Sequence, residues 1–300
     1  MSPDGTDADP TADADQALAD RLAALPCVVV AIDRPPGRRP LLADLVPEAG
    51  VATVDDVLRT VERNPVAATA SALLLRGGAR SLGAGLVAES AVYSVLQAGP
   101  EFATWRAARP VAEGEPDQGP AVLVERNGDR LDIVLNRPAV RNALNTAMRD
   151  GLLSALALGA SDPSLTSVVW RGAGPSFSSG GDLNEFGQFV NPASAHLVRL
   201  ATSIGRAVSA LGPRLRVEVH GPCAGSGVEL PAFAAHVMAQ PDFTATLPEV
   251  SLGLIPGAGG TWSITQRVGR HRMALLALSG ARIGAATALD WGLVDEVGNG

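Results

Sequence analysis

The stretch that most constrains this chain runs over residues 217–260, where two glycine-rich turns each carry one glutamate. It contains Val219-His220-Gly221-Pro222-Cys223-Ala224-Gly225-Ser226-Gly227-Val228-Glu229-Leu230 and, further on, Leu247-Pro248-Glu249-Val250-Ser251-Leu252-Gly253-Leu254-Ile255-Pro256-Gly257-Ala258-Gly259-Gly260. Residues 215–219 are a short β-rich run, and Gly225-Ser226-Gly227 is a turn that brings backbone close to whatever lies above it. A helix is predicted to begin at 228 and run to 235. Its free N–H groups favour negative charge, and Glu229 lies in its first turn.

Ahead of this stretch stand Asn136-Arg137-Pro138, Asn142-Ala143-Leu144 and Phe177-Ser178-Ser179-Gly180-Gly181-Asp182-Leu183. In this order and spacing the Gly-Ser-Gly-x-Glu turn, the Pro-Glu segment behind it and the Ser-Ser-Gly-Gly-Asp segment ahead of it resemble the crotonase (enoyl-CoA hydratase/isomerase) superfamily. The resemblance covers residues 121–297. It implies an α/β fold, a crotonase-like spiral of β-β-α turns, here preceded by a mainly helical N-terminal region.

Composition bounds the rest. With 300 residues, 46% of them hydrophobic and 18% charged, the chain can bury at least one full core and divide into one large or two ordinary domains. A net charge of −7 without a basic stripe argues against nucleic-acid binding, so an anionic ligand must meet local arginines. Cys27 and Cys223 are far apart and without metal-type spacing, so neither a disulfide framework nor a metal site is expected. Apolar runs are broken well before the length of a membrane span, and residues 1–20 are acidic where a secretion signal would be basic and then apolar. A cytoplasmic protein with no membrane partner is the expectation.

Along the chain, residues 1–15 lack apolar periodicity and read as a disordered tail. Residues 16–25 suggest a helix and 26–33 a strand closed by a turn at 34–37. Helical spacing recurs over 54–64, 65–76 and 82–97, so residues 16–115 form a mainly helical region. Residues 86–102 resemble the helical extension of the 3,5-dihydroxyphenylacetyl-CoA dioxygenases, a cofactor-free crotonase branch; otherwise they are a helical cap or oligomer contact with Tyr93, Phe102 and Trp105 as core aromatics. His196 and His220 read as surface or packing residues. A charged linker over 106–118 precedes the catalytic domain, 120–300. There Asn127-Gly128 marks a hairpin, 142–158 an amphipathic helix capped by Asn142 or Asn145, and 167–171 a buried strand. Family members usually continue beyond the Gly292-Leu293-Val294-Asp295-Glu296-Val297 segment with helices that cover the acyl site. Either the sequence is truncated at Gly300 or the N-terminal helices provide that cover.

By resemblance the backbone N–H groups of Gly181 and Ser226 form an oxyanion hole for a thioester, and glycines at 180, 181, 225 and 227 keep side chains out of the ligand's way. Glu229 and Glu249 fall where the family's hydratases carry catalytic glutamates able to share acid and base roles. Ser179, Gly180, Asp182 and Gly225 would contact substrate, although Asp182 could simply brace its turn. Arg137 and Arg141 are the nearest candidates for the CoA phosphates. No cofactor is expected apart from CoA as part of the substrate. The partners implied are an acyl-CoA thioester and further copies of the chain in a trimer or hexamer. Three functions follow: an enoyl-CoA hydratase or isomerase, a cofactor-independent dioxygenase of an arylacetyl-CoA, or a non-catalytic interaction protein of the same fold.

Overall fold

The structure is a computed structural model that describes residues 21–22, 24–32, 43–109, 119–188 and 191–298. The expected tail over 1–15, residues 16–20 and 23 of the helix expected over 16–25, the turn at 34–37 and residues 110–118 of the linker lie outside the described residues; residues 21–22 are helical and 24–25 form a turn and bend. The expected strand over 26–33 is corrected: one parallel bridge joins Val30 to Leu45. Among the described residues the segment around Asp44 and Leu45 faces that apolar run, and the pairing consists of two backbone bonds and the Asp44 carboxylate on the Val29 N–H.

Four helices follow: α1 Val54–Arg63, α2 Pro65–Gly77, α3 Leu82–Gln97 and α4 Pro100–Ala108. The first three stand within a residue of the predicted spans. Thr53 closes a capping box on α1, Pro65 opens α2 where no N–H is needed, and the Ser81 hydroxyl caps α3. Helix α4 lies beyond the predicted spans: Gly99-Pro100 breaks the helical spacing after α3 and also starts α4 with proline at its first position.

The hairpin forms as predicted, β1 Val122–Asn127 antiparallel to β2 Arg130–Leu135. Helix α5, Thr146–Ser161, is capped by the Asn145 side chain on the Met148 N–H, and leads to β3 Ser167–Gly172. Asn142 is no cap; it lies upstream with φ of 53° and a fully buried side chain. Helices α6 Pro192–Ala201 and α7 Ile204–Leu211 precede β4 Leu215–Val219 and β5 Pro222–Ala224. The helix expected over 228–235 is corrected to α8 Ser226–Glu229 and a 3-10 turn over Pro231–Phe233, since Pro231 supplies no N–H to continue the α ladder. Then come β6 His236–Ala239, β7 Thr244–Thr246, a 3-10 turn over Glu249–Leu252, α9 Gly260–Val268, α10 Arg270–Ser279, β8 Arg282–Gly284, α11 Ala285–Trp291 and β9 Glu296–Val297.

The chain alternates between two sheets, one ordered β1-β2-β3-β4-β6-β9 and parallel beyond its hairpin, the other ordered β5-β7-β8. In-register pairs such as Leu131 with Val168, Val168 with Leu215 and Val217 with Val237 put one apolar row inside. The opposite face carries Asp132 against Arg130 and Arg171, then Glu218 against Arg216. The N-terminal helices pack onto this body: α1 and α2 against α10, and α3 against α6 and α9. The mixed α/β architecture with a helical N-terminal region is as expected.

Candidate active site

The two motif turns are held in backbone contact. The loop after β3 is anchored by Phe177, whose N–H donates to His220 O at 2.9 Å and whose ring meets Trp170 edge-on. A Cβ at Gly180, where φ is +92°, would lie 2.7 Å from Ala224 O, and one at Gly227 would run into Ser178 O. Side chains at these two positions would therefore force the turns apart.

This clamping leaves two N–H groups uncommitted to the ladders around them. Leu144 N–H donates to Gly180 O and Asp182 N–H to Leu144 O, so the bridge between Leu144 and Gly181 bypasses the Gly181 N–H. Ser226 is the first residue of α8 and has no acceptor one turn back. Both residues line a cavity of about 220 Å³ together with Glu229, Glu249, Tyr93 and Gln97.

The glutamates reach this cavity from different elements and converge beside Gly225. A Cβ there would strike Glu249 Oε1 and lie 4.0 Å from Glu229 Oε1. Glu229 is buried and its Oε2 accepts from Ala258 N–H at 2.8 Å and Gly260 N–H at 2.9 Å. Glu249 is also buried, and its Oε2 has no hydrogen-bond partner among the described residues. Burial pushes Glu249 up to about 8, with the Glu89 charge adding to the effect. Burial raises Glu229 well above the usual carboxylate range, and the charges of Glu249 and Glu89 raise it further.

Glu89 is a site residue that the sequence reading missed. It projects from α3, and its carboxylate accepts from Gly259 N–H at 2.6 Å, Thr261 N–H at 2.8 Å and Thr261 Oγ1 at 2.6 Å. Alternate N–H groups of residues 258–261 are thus shared between Glu229 and Glu89. Burial lifts Glu89 to about 7, against the pull of those hydrogen bonds. The clue lay in the sequence: Glu89 is the single charged residue within α3. Tyr93, expected as a core aromatic, faces the cavity as well, its ring against Gly257.

The remaining expected contacts are distributed differently. Arg137 is largely buried; its guanidinium pairs with Asp182 at 3.2 Å and donates to Ala143 O, and Asp182 also accepts from Asn184 N–H. Asp182 therefore braces the first turn and also lines the cavity. Arg141 is exposed nearby, and its carbonyl takes the Ser179 N–H at 2.8 Å. His196 and His220 pack against Ser90 and Gly174 O, respectively. Among the described residues no group of His, Cys, Asp and Glu is placed to hold a metal ion, and no helix is long and apolar enough to cross a membrane.

Comparison with known proteins identifies the family and the fold. The sequence profile of the enoyl-CoA hydratase/isomerase family matches residues 125–299. The 2,3-dehydroadipyl-CoA hydratase of Escherichia coli K12 is 35% identical over 176 residues, which are 59% of this chain and 68% of that protein. The mevalonyl-coenzyme A hydratase SIDH of Beauveria bassiana is 32% identical over 175 residues, 56% of this chain and 62% of that one. The crystal structure of an enoyl-CoA hydratase from Thermoplasma volcanium superposes with a TM-score of 0.56 at 34% identity, covering 61% of this chain and 73% of that one. With its two motif turns, its alternation between two sheets and a profile match over more than half its length, the chain belongs to the enoyl-CoA hydratase/isomerase family of the crotonase superfamily.

Proposed function

We propose that this protein is a hydratase of α,β-unsaturated acyl-CoA thioesters. The observation that carries the reading is the convergence of Glu229 and Glu249 beside Gly225, in the same cavity as the Gly181 and Ser226 N–H groups. Two close buried carboxylates resist ionising together, so near neutrality one serves as base and the other as acid. The base takes a proton from water as its oxygen bonds to the β-carbon. The electron pair of the double bond shifts into an enolate, whose oxygen is held by the two N–H groups. The acid then protonates the α-carbon. Each N–H group directed at such an oxyanion contributes about 3 kcal/mol to the transition state.

In this reading Ser179, Gly180, Asp182 and Gly225 shape the substrate-facing turns, and Arg141 is the better placed of the two arginines for a CoA phosphate, since Arg137 is engaged with Asp182. The reaction requires no cofactor beyond the CoA of the substrate, and a homotrimer or hexamer is the proposed assembly, checked by light scattering. Replacing Glu229 or Glu249 by Gln should lower turnover of an enoyl-CoA by roughly 10²- to 10⁴-fold while leaving affinity nearly unchanged. Full activity in both variants would overturn the two-glutamate mechanism, and full activity in just one would indicate double-bond isomerisation. A dioxygenase would consume oxygen and draw product oxygen from the gas rather than from isotopically labelled water, so the same assay separates that reading.

A further inference from the structure

Arg199, on α6, occupies a cage built by a different part of the chain. Its guanidinium lies over the Tyr93 ring, 4.7 Å from the centroid. Its Nε donates to Ser90 Oγ at 3.1 Å, and Nη2 donates to Ser90 O at 3.2 Å and to Ser94 Oγ. Every one of these partners is neutral. Among the described residues Arg199 makes no salt bridge, and Nη1 donates to none of the cage residues. The nearby carboxylate of Glu89 is committed to Gly259 and Thr261.

The position of this cation matters. Arg199 lines the cavity that holds Glu229 and Glu249, and also an adjoining cavity of about 190 Å³ walled by Leu86, Val198, Ile204 and Leu230. Leu144, Gly257 and Ala258 border both spaces with it, so an acyl chain leaving the glutamates passes Arg199. The other arginine on the adjoining cavity, Arg149, is already paired with Asp150. Burial of the guanidinium pulls its pKa down and the charge of nearby Glu89 opposes that, yet among the described residues no carboxylate is hydrogen-bonded to it, which is unfavourable for a partly buried cation. A planar carboxylate presented to the open edge of the guanidinium would relieve the cost.

We infer that Arg199 binds a carboxylate carried on the acyl chain beyond the double bond, so that the substrates are enoyl-CoA esters of dicarboxylic acids. This rests on the hydratase reading above and narrows its substrate class. The cage residues Ser90, Tyr93 and Ser94 lie before residue 125, where the family match begins, so the device belongs to this chain's own N-terminal helices.

The test is the ratio of kcat/KM for matched pairs of enoyl-CoA esters, one ending in a carboxylate and the other in its methyl ester, over a series of chain lengths. Wild type should favour the carboxylate by about 10²-fold at its best length, Arg199→Met should lose most of that preference, and Arg199→Lys, which keeps the charge without the planar fork, should fall between. A wild-type ratio of one or less at every length overturns the inference, as does an unchanged ratio in Arg199→Met. If Arg199→Met does not fold, the wild-type and Arg199→Lys ratios decide. Hydration of both esters without preference sinks this inference alone, whereas hydration of neither sinks the hydratase reading beneath it.

Discussion

Glu89, Glu229 and Glu249 occupy one buried region, so the proton affinity of each depends on the charge of the others. Glu89 raises both catalytic candidates. Replacing it with Gln removes that charge, favours the ionised forms of Glu229 and Glu249, and should move the acid limb of kcat/KM to lower pH. A fall in the plateau with no shift of the limb would reduce Glu89 to a purely structural prop. The same groups set a pH dependence of stability. Glu89 at about 7 and Glu249 at about 8 lie above the ordinary glutamate value of 4.5, so over that interval the folded state binds more protons than the unfolded state. Stability from these groups is therefore fully present below pH 4.5 and is lost as pH rises through about 7 to 8. Urea midpoints should be lower at about pH 9 than at about pH 6, with a smaller difference in Glu89→Gln; a midpoint rising across that window would contradict the assignment.

The link between β2 and α5 explains how one element positions the first turn. Asn142 is fully buried with φ of 53°; its side chain accepts from Arg137 N–H and donates to Ala173 O and Ser176 O, while its carbonyl accepts from Ser178 Oγ. Asn142→Ala should cost roughly 2–4 kcal/mol, because three buried or half-buried partners lose their bonds and alanine tolerates the left-handed backbone less well. Equal denaturant midpoints for the variant and wild type would refute this. The asparagine was visible in the sequence as part of a motif, yet its work was not, because cap and strut use the same side chain and differ only in backbone conformation. Local patterns served well elsewhere: the hairpin at Asn127-Gly128, the spans of α1 to α3 and the strand β3 all follow from periodicity and turn chemistry. The apolar run near Val30 failed as a strand because pairing requires a partner segment, which periodicity does not reveal. Glu229 and Glu249 were legible from their motifs, whereas Glu89, Tyr93 and Arg199 come together only through the docking of α3 on α6 and α9, segments separated in sequence by 109 residues at Ser90–Arg199 and 172 at Glu89–Thr261.

At the scale of the whole molecule, the N-terminal helices are both packing and cover. Val57, Ala67, Ala68 and Ala72 are fully buried on α1 and α2, and on α10 so are Met273, Leu275, Leu276 and Leu278. Helix α3 brings Tyr93 and Gln97 into the cavity, while Phe102 of α4 rests against the backbone of Gly253. Sequence reading left open whether these helices join subunits or close the site, and their burial against the same chain's core supports closure. Deleting residues 1–115 would expose the apolar surface of α10, at about 25 cal/mol for each Å² returned to water, and would remove Tyr93 and Gln97, which line the cavity, and Glu89, which holds its turn. The truncated chain should unfold at lower denaturant, lose cooperativity and scatter light as aggregates. Any fraction that remains folded should hydrate enoyl-CoA esters poorly, with the loss in KM as well as kcat, because the cavity has lost one wall. An unchanged midpoint, mass and kcat/KM would show the helices to be an independent appendage. An unchanged midpoint with a smaller oligomer would assign them to contacts between subunits, and the acyl cavity would then have to be completed by residues of the catalytic domain alone.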